Sequence, residues 1–106
     1  MDRLDALKQF LEREPNDSFT RYAIGLEYAS QKNYSEAIRM LEELRAMDEN
    51  YVPTYYQLAE YYRAEKAPLK AIQIYREGIQ KARAMNDLHA ASELEAALDD
   101  LENEVL

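Results

Sequence analysis

Residues 55–62 read YYQLAEYY, four tyrosines in eight positions. On a helical wheel at about 100° per residue, Tyr55, Leu58, Ala59 and Tyr62 fall within one narrow arc. Tyr56 and Arg63 point about a quarter-turn away, with Glu60 beyond them, and Tyr61 lies on the other flank. The wheel therefore predicts an amphipathic helix. Two of its tyrosines occupy the centre of a core stripe and two border it.

The stripe repeats. Thirty-four residues upstream, Tyr22, Ile24, Gly25 and Tyr28 stand in register with Tyr56, Leu58, Ala59 and Tyr62. Downstream, Ala37, Ile38 and Leu41 stand in register with Ala71, Ile72 and Tyr75. A repeat of this length marks a structural unit that buries its apolar face by stacking on its neighbours. Gly25, Ala59, Ala37 and Ala71 fall where a larger side chain would push paired helices apart. The rest of the composition agrees with helices. The chain has 106 residues, two glycines, three prolines and few β-branched residues.

Helix-start signals fit this division. Asn33 with Glu36 has the spacing of a capping box, and Pro68 suits a first helical turn. Residues 2–13 form an amphipathic helix with Leu4, Leu7, Phe10 and Leu11 on one side. After Met85 the register slips, because continuing by 34 would bury His89, Ser92, Glu93 and Ala96. A shift of two instead places Ala91, Leu94 and Leu98 inward, with Leu88, Leu101 and Leu106 nearby, and makes Asn86-Asp87 a turn.

These positions resemble the tetratricopeptide repeat (TPR) family, in the manner of a small bacterial-type member. The family pattern is W-x₂-L-G-x₂-Y, then A-x₃-F, then P. Residues 18–51 offer Arg21, Ile24, Gly25, Tyr28, Ala37, Leu41 and Glu49 at those places, and residues 52–85 offer Tyr55, Leu58, Ala59, Tyr62, Ala71, Tyr75 and Arg83. Arg21 replaces Trp, Glu49 and Arg83 replace Pro, and Lys32 and Lys66 stand where the family commonly has a turn glycine. Pro15 precedes Glu49 by 34, so the first helix resembles the second half of a truncated repeat. The expected fold is an all-α, TPR-like α-solenoid. It would form one domain over 1–106, with a capping helix at 2–13, repeats at 18–51 and 52–85, and a closing helix at 87–104.

The resemblance implies a concave groove lined by the first helix of each repeat. Its residues would be Phe19, Tyr22, Leu26 and Ala29 from the first repeat, then Tyr56, Glu60 and Arg63 from the second. The closing helix would add Ser92, Ala96, Asp99 and Asp100. Tyr22 and Tyr56 would form an aromatic ladder, since tyrosine offers rigid amphipathic area. Tyr28, Tyr55, Tyr62 and Tyr75 are expected in the core, and Tyr34 and Tyr51 at hairpin turns. Some TPR proteins clamp a terminal carboxylate with Lys and Asn. Here those places hold Tyr22, Leu26, Tyr56 and Glu60, so no such clamp is expected.

Charge and composition set the function class. The net charge of −8 disfavours nucleic acid and anionic membrane surfaces. There is no cysteine, hence no thiol nucleophile or thiolate metal site. No apolar run reaches the roughly 20 residues of a membrane span, and a cytoplasmic location is expected. His89 has no nucleophile beside it, and Glu93, Glu95, Asp99, Asp100, Glu102 and Glu104 are spread as a solvated face. Neither catalysis nor a cofactor nor a metal is expected. The reading is a non-catalytic protein-interaction module. It would hold a peptide or helix, basic with apolar anchors, in an aromatic and acidic groove. The alternative is a self-associating structural unit, as a homo-oligomer or as a subunit of a larger assembly.

Overall fold

A computed structural model describes all residues, 1–106. Six helices follow one another: α1 (Arg3–Arg13), α2 (Ser18–Ser30), α3 (Tyr34–Met47), α4 (Pro53–Ala64), α5 (Pro68–Ala84) and α6 (Leu88–Val105). Each packs on its sequence neighbours, and α2 also touches α4. The result is a staggered stack measuring 44 × 30 × 19 Å. No helix is long and apolar enough to cross a membrane.

Local chemistry explains the helix ends. Asp2, Asp17, Asn33 and Asp87 accept hydrogen bonds from backbone amides three residues on, which satisfies donors the first turn leaves free. Pro53 and Pro68 begin α4 and α5, where a missing amide hydrogen costs nothing. Lys32, Lys66 and Asn86 adopt φ of 63°, 59° and 58°, each ending a helix in the left-handed region. At each, the next residue's amide reaches back five positions, as Asn33 N to Tyr28 O (3.0 Å), Ala67 N to Tyr62 O (2.9 Å) and Asp87 N to Ala82 O (2.8 Å). So both lysines do occupy the strained turn position, and only Asn86 is a residue that tolerates it well.

The core follows the repeat. Ile24, Ala37 and Leu41 are buried, as are Leu58, Ala59, Ala71 and Tyr75 at the corresponding places. Gly25 lies against Leu41: a Cβ there would stand 2.7 Å from Leu41 Cδ2. Gly78, outside the repeat pattern, sits at a tighter contact, where a Cβ would stand 2.5 Å from Tyr55 Cβ and 3.2 Å from Leu94 Cδ1. Three helices, α4, α5 and α6, meet at that glycine.

Two tyrosines change places relative to the wheel. Tyr61, expected on a flank, is buried and packs its ring 5.9 Å from that of Tyr34. Tyr62, expected in the core, is half-buried, as is Tyr28. Its hydroxyl donates to Glu42 and Lys70 lies over its ring. The reason is geometric. An interior helix such as α4 meets α3 and α5 together, so its buried arc is wider than one stripe and extends across Tyr61. Burial pushes the Tyr61 hydroxyl up to about 12, and burial with Glu42 does the same to Tyr62.

Candidate functional site

A hollow of about 420 Å³ opens between α2, α4 and the start of α6. Tyr22 comes from α2, and Val52, Pro53, Tyr56 and Gln57 come from α4 and the turn before it. The turn into α6 supplies Asp87, and α6 itself supplies His89, Ala90, Glu93 and Leu94. The aromatic wall is held in place from behind. Tyr22 meets Tyr51 edge-on at 5.8 Å between ring centres, and Tyr56 meets Tyr75 edge-on at 6.3 Å. Such pairs fix ring orientation and add about 0.5–1.5 kcal/mol each beyond burial. Both wall tyrosines are only half-buried, so part of each ring remains available.

The surroundings are acidic. Burial raises the Tyr56 hydroxyl above its ordinary value, and the carboxylates of Glu60 and Glu93 raise it further. Burial likewise raises Tyr22, while a hydrogen bond with Gln57 acts against it. Glu93 pairs with His89 at 3.2 Å on the same helix. Asp87 caps α6 through the Ala90 amide at 3.1 Å.

One helical turn beyond Tyr56, the groove closes over an ion network. Glu60 accepts from the Tyr75 hydroxyl and lies 3.5 Å from Arg63. Arg63 reaches across to Asp100 at 3.3 Å and Glu104 at 3.0 Å, joining α4 to α6. A hydrogen bond with Tyr75, and then Asp100 and Glu60, raise the Arg63 guanidinium further above its ordinary value. Glu60 is therefore half-buried and tied to α5 through Tyr75, and it does not line the main hollow.

The sequence-predicted residues are not brought together in one place. Tyr22 and Tyr56 meet at the hollow, and Arg63 meets Asp100 beside it. Phe19 and Leu26 line a smaller hollow of about 230 Å³ that Arg3 and Glu27 share and that Tyr22 also borders. Ala29 is half-buried against the core. Ser92, Ala96 and Asp99 are exposed, and none lines the main hollow. Ala96 and Asp99 lie with Glu95, Leu98 and Glu102 in a shallow depression made by α6 alone. The residues of α6 that line the main hollow or pair with Arg63 include Ala90, Glu93, Asp100 and Glu104 instead, about one residue's rotation from the expected set. Helix α5 has 17 residues where α3 has 14, and the register of 34 does not carry into α6. A signal for part of this placement was present in the sequence, where Asp100 with Glu104 is an i, i+4 acidic pair, and both meet Arg63.

No group of three or more His, Cys, Asp or Glu side chains is placed to hold a metal ion. No protein-family model matches the sequence, and a search of curated proteins returns no match. Solved structures do match. The solution structure of a tetratricopeptide repeat domain protein from Salinibacter ruber shares 38% identity at a TM-score of 0.81, covering 84% of this chain and 90% of that one. A crystal structure of a tetratricopeptide repeat domain protein from the same organism gives 38% identity and 0.77, covering 81% and 97%. The TPR2B domain of yeast Sti1, solved in its pHsp70 complex, superposes at 0.88 over 95% of this chain and 81% of its own, with 20% identity. With the repeat register, the helix order and this level of identity in agreement, the chain belongs to the tetratricopeptide repeat family.

Proposed function

We propose that this protein is a non-catalytic interaction module that holds a peptide segment in the groove formed by α2, α4 and α6. The observation that carries the reading is the hollow itself. It sets two half-exposed, back-supported tyrosines beside carboxylates, on rigid helices. Preorganised aromatic side chains bind with little further ordering cost. The Sti1 domain, which shares the fold, was solved in complex with pHsp70. The carboxylate-rich surroundings favour a partner segment with positive charge and apolar flanks.

The test compares the intact chain with a Tyr22→Ala, Tyr56→Ala double variant as bait in parallel pull-downs. Proteins retained by the parent and lost with the variant are groove ligands. A set of captured proteins that the double variant leaves unchanged would refute the groove. Sedimentation velocity over a range of concentrations addresses the self-associating alternative, which predicts a species that grows with concentration and survives the double variant.

A further inference from the structure

We propose that the hollow seats an arginine side chain of an extended partner segment, with a second basic residue three positions away at Asp100 and Glu104. This rests on the groove reading above and specifies what the groove recognises.

The hollow's volume of about 420 Å³ lies at the small end of ligand sites. It suits one long side chain with its adjoining backbone. Its wall is two tyrosine rings and its rim carries Asp87 and Glu93. Guanidinium is the group that uses both features, because it stacks on aromatic faces and donates in a planar fork to carboxylates. An apolar anchor alone would strip water from Glu93 and Asp87 and give nothing back. A carboxylate would be repelled by both.

The one basic group of the protein's own there is His89, whose Nε2 lies 3.2 Å from Glu93, against the two carboxylates of Asp87 and Glu93. No Lys or Arg lines the hollow. Arg83 is paired with Glu95, and Arg76 with Glu102. Arg63 is shared among Glu60, Asp100 and Glu104, three carboxylates for one guanidinium. Negative charge is thus left over at two points along α6.

Those points set a spacing. Glu93 and Asp100 lie on one stripe of α6, seven residues or about 10 Å apart along the axis. A segment in polyproline II conformation rises about 3.1 Å per residue with three residues per turn. Side chains three apart therefore project to the same side, separated by about 9 Å. The sequence pattern that fits is Arg-x-x-Arg or Arg-x-x-Lys.

The experiment is an NMR titration of the isotope-labelled full chain with the blocked peptide Pro-Arg-Pro-Pro-Arg-Pro. Citrulline, a neutral isostere of arginine, replaces either arginine in companion peptides. The expected result is a saturable shift of the Tyr56, Ala90 and Glu93 amides by the parent peptide. Each citrulline should weaken binding about tenfold, the size of a partly desolvated cation–aromatic and ion-pair contact. The penalty at one arginine should vanish in Glu93→Gln, and that at the other in Asp100→Asn. Which is which reports the peptide's direction. Equal binding of the citrulline peptides, with Tyr56→Ala still abolishing it, would overturn the arginine anchor and leave the groove standing. Shifts confined to α1 or to the outer side of α6 would overturn both. Absence of any shift at millimolar peptide would overturn the arginine proposal, with the pull-down comparison still deciding the groove.

Discussion

Gly78→Ala should destabilise this protein, although alanine is the better helix former. In a helix interior the exchange by itself favours folding by about 1 kcal/mol. Packing opposes it. The new Cβ would stand 2.5 Å from Tyr55 Cβ and 3.0 Å from its Cγ, against the roughly 3.5–4.0 Å at which carbon atoms rest. One helix must retreat by about 1 Å. Tyr55 cannot swing aside, because its ring is fully buried and its hydroxyl donates to Glu49 O at 2.5 Å. Leu94 of α6 blocks the same space at 3.2 Å. Overpacking of this kind costs about 1–3 kcal/mol, and loosening the Tyr55 hydrogen bond about 1 kcal/mol more. After the helical gain, a net loss of about 2 kcal/mol remains, or roughly 10 °C in melting temperature for a domain of this size. Gly25→Ala is the internal control. Its obstacles are Leu41 Cδ2 at 2.7 Å and Cγ at 3.0 Å, atoms further out on a side chain rather than a Cβ fixed to the backbone, so its net change should be the smaller, within about 1 kcal/mol. Melts followed by circular dichroism at 222 nm rank the two variants. A Gly78→Ala variant as stable as the parent, or less harmed than Gly25→Ala, would refute the packing argument.

Three further outcomes are expected. Of the two tyrosines that border the α4 stripe, buried Tyr61→Ala should cost about 3 kcal/mol, as aromatic truncation in a core does, while half-exposed Tyr56→Ala should cost about 1 kcal/mol; equal melting temperatures would contradict the assigned burial. Lys66→Gly should stabilise by about 0.5–1 kcal/mol, since it relieves a left-handed lysine but adds freedom to the unfolded chain, and urea midpoints measure it. Arg45 beside Glu77, at 2.6 Å, holds that carboxyl below its ordinary value. Its contribution is then fully present above the unfolded carboxyl's pKa and is lost as pH falls through the lowered folded value. Glu77→Gln should accordingly flatten the decline of stability as pH falls below the ordinary carboxyl range, and an unchanged acid limb would show that the pair is fully screened.

The helix order and the first-helix core were legible because a repeat states each position twice. Ile24 with Leu58, and Ala37 with Ala71, are buried as their shared register predicts. Even the turns were legible at Lys32 and Lys66, where no glycine marks them, because the register fixed their place and the φ values followed. What the period could not convey is what happens where a helix has more than one partner or where the repeat stops. Tyr61 is buried because α4 lies inside the stack, a fact of the assembly that a single helical wheel does not contain. The α6 residues beside the hollow likewise sit about one residue from the expected set, after an α5 three residues longer than α3 that breaks the 34-residue register.

Gly78 belongs to a subtler class. Thirty-four residues before it stands Leu44, and thirty-four before its contact Tyr55 stands Arg21. Where the second repeat exchanges arginine for a buried tyrosine, it exchanges a buried leucine for glycine. The two changes compensate in volume, because close-packed interiors have no room for both large side chains at one crossing. Neither exchange alone signals the other: the family pattern has no place at Gly78, and Arg21 to Tyr55 reads as a return towards its Trp. Only the 2.5 Å approach of a Gly78 Cβ to Tyr55 shows that they are one adjustment. Since Leu94 shares that contact, the same exchange sets how closely α6 can approach α4 and α5. It thereby bears on the hollow, whose wall includes both Leu94 and Tyr56.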